Sequence, residues 1–259
     1  MAGLGSGYDL SVSTFSPDGR VFQVEYAAKA VDSAALCVAA ACKGGVAFAV
    51  EKPKVSAMLA QGSNRRIFPV TKDIGMVVAG LVPDGRQLWH RARAEARAYL
   101  KGYGVSIPIG VLAERLALFM HAYSLYWHVR PFGATCILGG LQADPVTGFK
   151  ELKGEVYSID PSGCCSRYWG TAAGQNRPSA KTELEKLPLS ELDPEGLGDE
   201  LARVLLVLRE EGQSEGKTEI EIGSLSIQGG QAVFGLWDSE RVAAAVTKAK
   251  QAIEAMESD

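Results

Sequence analysis

The chain is short of the residues that most reactions and anchors need. Its 259 residues hold three histidines and five cysteines, and no two cysteines stand in a C-x-x-C spacing. Cys37, Cys42, Cys136 and the adjacent Cys164-Cys165 therefore form no zinc-type pattern. They read instead as reduced, partly buried thiols of an intracellular protein. His90, His121 and His128 come without a Gly-x-Ser-x-Gly elbow or a His-Glu-x-x-His helix, so neither a serine hydrolase nor a zinc protease is indicated. Gly170 and Gly174 lack the Lys-Ser/Thr ending of a phosphate loop, and no cofactor is expected. No run reaches the roughly 18 apolar residues of a membrane span, and no apolar h-region follows a basic start. The reading is a soluble, unexported chain with no membrane partner. Excess charge is absent too: 27 basic against 30 acidic side chains give a net charge of −3, with no broad footprint for nucleic acid. The basic cluster from Arg86 to Arg97 reads as a solvated helix face.

What is present is a core. Apolar residues make up 47% of the chain, enough for one sizeable domain over residues 1–259. Residues 1–15, rich in Gly and Ser, are expected to be a mobile tail. Residues 16–32 read as a turn, Ser16-Pro17-Asp18-Gly19, and a short helix with Val21, Val24, Ala28 and Val31 at helical spacing. The sandwich and its helices then fill 33–259. Leu36–Cys42 and Val46–Glu51, parted by Lys43-Gly44-Gly45, predict a hairpin. Ile67–Val70 and Ile74–Ala79 repeat the pattern. Helices are expected over 84–101, with Leu88, Ala92, Ala96 and Tyr99 on one stripe, and from a Ser106 cap through Tyr123. Strands near 134–141, 152–159 and 164–169 follow, with turns at Asp144-Pro145 and Asp160-Pro161-Ser162-Gly163. Helices over about 172–187 and 196–211, a strand at Glu219–Ile227 and a last helix from Asp238 to Met256 complete the series. The order suggests an α+β fold of two facing sheets with helices on both outer sides, and leaves other α+β folds open.

The segment Gly7-Tyr8-Asp9-Leu10 through Thr14-Phe15-Ser16-Pro17-Asp18-Gly19-Arg20-Val21-Phe22-Gln23-Val24-Glu25-Tyr26-Ala27 closely resembles the N-terminal signature of proteasome α-type subunits. Arg130-Pro131-Phe132-Gly133, Asp160-Pro161-Ser162-Gly163 and Ala180-Lys181-Thr182-Glu183 resemble further motifs of that family, and the whole set is most similar to its α7-position type. The resemblance implies a four-layer αββα sandwich of the N-terminal-nucleophile hydrolase type. It also implies a seven-membered α ring capping a β ring, contacts with both rings and with activator particles, residence in cytoplasm and nucleus, and no peptidase activity in this subunit. The α ring would control entry in ubiquitin-dependent and other intracellular protein degradation.

The residues agree on the missing activity. Active subunits of the family begin their first sandwich strand with a threonine whose own amine acts as base. The matching position here is Ala35, which has no nucleophilic atom, and Ser33 nearby has its amine in a peptide bond. An active N-terminal-threonine peptidase subunit is the competing, disfavoured reading. The resemblance further assigns Tyr8, Asp9, Pro17 and Tyr26 to a cluster that steadies the open gate, with Leu10 standing where many α subunits carry arginine. It assigns Arg66, in the usual place of a lysine, with Gly80 and Leu81, to a pocket for activator C-terminal tails, where a cation meets a carboxylate.

Overall fold

The computed structural model describes residues 7–54, 56, 58–60, 62–143, 152–209 and 218–258. The first six tail residues, Gln61, the Asp144-Pro145 turn and the end of the helix expected to reach 211 lie outside them. After a helix α1 (Phe22–Asp32), the apolar runs pair as antiparallel strands β1 (Cys37–Cys42) and β2 (Gly45–Pro53) across the two-residue turn Lys43-Gly44. One sheet runs in the order β3 (Ile67–Pro69), β4 (Ile74–Gly80), β5 (Ala134–Ala143), β6 (Leu152–Ile159), β7 (Cys165–Tyr168). The other places β1 and β2 between β8 (Gly170–Ala173) and the hairpin β9 (Thr218–Gln228) and β10 (Gln231–Leu236), in the order β10-β9-β2-β1-β8.

Alternation along the strands explains the layering. Cys37, Ala39 and Ala41 of β1, with Val46, Phe48 and Val50 of β2, meet Val77 and Ile137 of the opposite sheet. Their neighbours Val38, Ala40, Ala47 and Ala49 turn outward onto α4 (Arg177–Glu185), α5 (Pro194–Val207) and α6 (Ser239–Ser258). On the far side, Met76, Val78, Cys136 and Leu138 pack under α2 (Val82–Tyr103) and α3 (Ile109–Ala122). Both sheets are thus apolar on two faces, which is why these strands read as continuous hydrophobic runs. The middle layer is close-fitted: a Cβ at Gly139 would lie 2.5 Å from the Phe48 ring. The fold is the four-layer αββα sandwich.

Several local expectations shift. The first helix buries Phe22, Ala27 and Val31, whereas Val24 and Ala28 are half-buried, because the Phe22 ring, rather than Val21, anchors the first turn. Ser106 does not cap α3; the helix begins two residues after Ile107, with Pro108 at the cap position. The segment read as helix from 172 opens instead with β8, whose Gly170–Ala173 backbone pairs with Cys37–Ala40, and α4 starts only at Arg177. β10 is an additional strand, turned back on β9 at Gly229-Gly230. α5 starts at Pro194 behind Asp193, whose side chain accepts from Gly196 N at 2.7 Å, a cap worth about 1 kcal/mol.

Candidate functional site

The end of the sandwich that carries α1 brings together most of the residues singled out from the sequence. The turn before α1 is closed by Gly19 N donating to Ser16 O at 2.9 Å and Ser16 N to Arg20 O at 2.9 Å. Pro17 sits exposed at its tip. Arg20 donates from Nε to Glu25 Oε1 at 2.7 Å and from Nη2 to Oε2, and the hydrogen bond holds the Glu25 carboxyl below its ordinary range. The tail folds back along α1: Val12 is buried, and Gln23 Nε2 donates to the Asp9 carbonyl. Tyr26, one turn on, donates its hydroxyl to Asp9 Oδ2 at 3.3 Å. Partial desolvation and the neighbouring Asp9 carboxylate raise the Tyr26 phenol. Asp9 and Tyr26 are therefore partners, 17 residues apart in sequence. Tyr8 is exposed, and its hydroxyl has no hydrogen bond among the described residues; Leu10 is exposed beside it.

A second group lies at the start of α2. Arg66 donates through its backbone N to Glu221 Oε2 at 2.9 Å and from Nη1 to the Gly80 carbonyl at 3.4 Å. Burial lowers its guanidinium from the ordinary arginine value, and its buried Nε has no partner among the described residues. Gly80 has φ of +113°, and a Cβ there would stand 2.2 Å from Gly133 O, so only glycine fits. Leu81, half-exposed, donates its backbone N to the same Gly133 carbonyl at 2.9 Å. Arg66, Gly80 and Leu81 thus meet at one corner.

Sequence reasoning missed the group that builds this corner. Asp84, buried in the first turn of α2, accepts from Arg130 Nη1 at 2.6 Å, Arg130 Nη2 at 2.9 Å and Gly133 N at 2.8 Å. Burial alone would raise its carboxyl; the hydrogen bonds from Arg130 and Gly133 outweigh that and hold it low. The Arg130-Pro131-Phe132-Gly133 motif is visible in the sequence, but its acidic partner lies 46 residues earlier. The one available sign was an acid directly after Pro83 at a helix start, where the helix dipole favours it.

The head of β1 offers no nucleophile. Ala34 N donates to Val31 O at 2.9 Å, so this nitrogen is a peptide amide continuous with α1. Gln175 N donates to Ala34 O at 2.8 Å and Glu51 N to Leu36 O at 3.0 Å, which fixes the Ala34-Ala35 backbone in place. Ser33 Oγ is turned back onto Ala30 O at 3.2 Å. Elsewhere, Ser124 Oγ is 3.2 Å from His121 Nδ1, yet it donates to His121's own carbonyl at 2.7 Å, a local helix-end contact. All five cysteines are unpaired; burial pushes Cys37 and Cys42 up to about 12 and Cys165 to about 11, which suppresses their thiolates. Among the described residues no group of His, Cys, Asp and Glu is arranged to hold a metal, and no helix is long and apolar enough to cross a membrane.

Two facing antiparallel sheets between helical layers define the N-terminal-nucleophile hydrolase sandwich, here with a helix and a tail placed ahead of its first strand. The chain belongs to the proteasome subunit family and is of its α type. The family model for proteasome subunits matches residues 31–224, and the model for the N-terminal signature of the A-type subunits matches residues 8–30. The chain is 44% identical over 259 residues, all of both chains, to the alpha type-3 proteasome subunit of Arabidopsis thaliana. It is 47% identical over 216 residues, 83% of each chain, to the alpha type-3 subunit of Spinacia oleracea. Over 231 residues, 88% of this chain and 77% of the other, it is 42% identical to the probable alpha type-7 proteasome subunit of Saccharomyces cerevisiae.

Proposed function

We propose that this α-type subunit is non-catalytic, stands in the outer heptameric ring of the proteasome core with other α subunits above a β ring, and both gates substrate entry and docks activator particles. The observation that carries the reading is the head of β1: alanines at 34 and 35, and an amide nitrogen bonded into the end of α1 where a hydrolase of this fold needs a free amine beside a hydroxyl. The gate is the tail from Tyr8, steadied through Asp9 and Tyr26 and carried on the Pro17 turn. Such a tail has two states of similar energy, so a few hydrogen bonds bias it. Activator tails would dock at Arg66, Gly80 and Leu81, their terminal carboxylate drawn to the guanidinium. The unpaired thiols fit the reducing cytoplasm and nucleus, where a tagged chain at endogenous level would be found.

Treating assembled particles with an electrophilic N-terminal-threonine inhibitor tests the central point. Mass analysis of the separated subunits should show the adduct on β-type chains and none on this one. An adduct on a serine or threonine of this chain would establish the peptidase reading instead.

A further inference from the structure

A cavity of about 1030 Å³ among the described residues lies at the far end of β1 from α1. It opens between the β1–β2 turn, the start of β6, the β7–β8 crossover and the end of α4. Its floor is aliphatic, from Leu152, Leu184, Leu187 and Leu189. Its rim is cationic: among the described residues Lys43, Lys153, Arg167 and Lys181 line it against one acid, Glu185, in a chain whose net charge is −3.

Three of those cations lack a carboxylate partner among the described residues. Arg167 pairs with Glu155 at 3.0 Å, but Lys43, Lys153 and Lys181 make no ion pair with a carboxylate among the described residues. Two of them rest on aromatic faces instead: Lys153 Nζ lies 4.8 Å from the Trp169 ring centre and Lys181 Nζ 5.0 Å from that of Tyr168. Trp169 is 57% exposed, although indole is a large apolar group that folding normally hides. A cation held over a ring keeps its charge available while losing little further freedom on binding. Concave aliphatic floor, aromatic wall and cations at the rim are complementary to one chemistry, an extended segment that alternates carboxylates with aliphatic side chains.

We propose that this cavity is a docking site for an acidic peptide segment of a partner protein, its aliphatic side chains on the leucine floor and its carboxylates at Lys43, Lys153 and Lys181. Nucleic acid is the less fitting occupant, since bases would need the ring faces of Trp169 and Tyr168, over which Lys153 and Lys181 already lie.

The test uses assembled core particles and a fluorescein-labelled peptide, Glu-Leu-Glu-Asp-Leu-Glu, amidated at its C-terminus so that it cannot act as an activator tail. Anisotropy should report saturable binding that weakens with salt. The double variant Lys153→Gln/Lys181→Gln should bind about tenfold more weakly, as should Trp169→Ala. Lys43→Gln, on an exposed turn, gives a smaller loss and serves if either of the others fails to assemble. A probe with lysine for each acid should bind at least tenfold more weakly than the acidic one. No binding of the acidic probe, binding indifferent to all three variants, or tighter binding of an eight-residue oligouridylate would overturn the proposal.

Discussion

Replacing Asp84 tests whether the corner of Arg66, Gly80 and Leu81 is built by the clamp between the start of α2 and the Arg130-Pro131-Phe132-Gly133 segment. Asp84→Ala removes the acceptor of three hydrogen bonds, and the consequences differ for the two donors. The Gly133 amide is left buried without a partner, at a cost of about 1–3 kcal/mol. The Arg130 side chain is 63% exposed, so its guanidinium returns to water and the lost pair contributes only about 0.5–1 kcal/mol. The sum is about 3 kcal/mol, which for a chain of this size lowers Tm by roughly 6–12 °C. Arg130→Met keeps Asp84 bonded to Gly133 N but strips a buried carboxyl of its cation, so it should cost about 1–3 kcal/mol, part of which the group recovers by taking up a proton.

Thermal and urea unfolding of the single variants and the double variant form the assay. Asp84→Ala is required to be worse than Asp84→Asn, because the asparagine carbonyl still accepts from Gly133. Equal losses for Asp84→Ala and Asp84→Asn would mean that the ion pair, and not the buried amide, is what matters, and would refute the argument. pH supplies an independent check. The folded-state Asp84 carboxyl is held below its unfolded value. Its contribution is therefore complete above the ordinary carboxylate range and disappears as pH falls through the folded value. The stability gap between the parent and Asp84→Asn should narrow in that acidic window and stay constant around neutrality.

Tyr26→Phe deletes the hydroxyl that donates to Asp9, an exposed hydrogen bond whose loss shifts a two-state tail by about fivefold or less. Activator-stimulated hydrolysis of a fluorogenic peptide by assembled particles should fall accordingly while basal hydrolysis stays put; an unaltered stimulated rate would count against a gating role. Arg66→Ala should weaken binding of an activator C-terminal peptide about tenfold in a titration against particles, and equal affinity would remove Arg66 from the pocket. Gly80→Ala forces a side chain into a left-handed backbone and onto the Gly133 carbonyl, costing about 3 kcal/mol or more. A Gly80→Ala chain that melts within roughly 2 °C of the parent would contradict that close approach.

Most of the sandwich is readable in the chain because its strands are buried on both faces and its helices on one. Met76-Val77-Val78-Ala79 and Cys136-Ile137-Leu138 lie between a helix layer and a sheet, so the apolar run itself is the signal. The elements that escaped are those whose conformation is set by a distant partner. Gly170-Thr171-Ala172-Ala173 is too short and too small-sided to show a period of two. It is extended because Cys37–Ala40 offers it a ladder. β10 is an edge strand with alternating half-burial, and its exposed side chains carry little hydrophobic signature. Likewise Ser106 is a good capping residue by type, yet Pro108 two positions later fixes φ and favours a start after itself.

The site divides along the same line. Asp9 and Tyr26 were singled out through a family signature, and nothing in their spacing required a contact; the tail reaches Tyr26 because Val12 is buried and Gln23 captures the Asp9 carbonyl. Arg66 directly precedes β3 and Gly80 ends β4, so their meeting follows once β3 is registered antiparallel on β4, with Ile67 opposite Val77 and Val78 N donating to Arg66 O. Asp84 had no such local cue. Its role exists only because the loop after α3 returns the Arg130–Gly133 segment across the start of α2. The Gly133 carbonyl then accepts from Leu81 and leaves no space for a side chain at Gly80. A Cβ on Gly133 would itself press Leu81 at 2.9 Å and stand 3.7 Å from Ala30 of α1. The corner of Arg66, Gly80 and Leu81 and the helix that carries Tyr26 therefore share one small, hydrogen-bonded residue, and the geometry of each depends on how firmly Asp84 holds it.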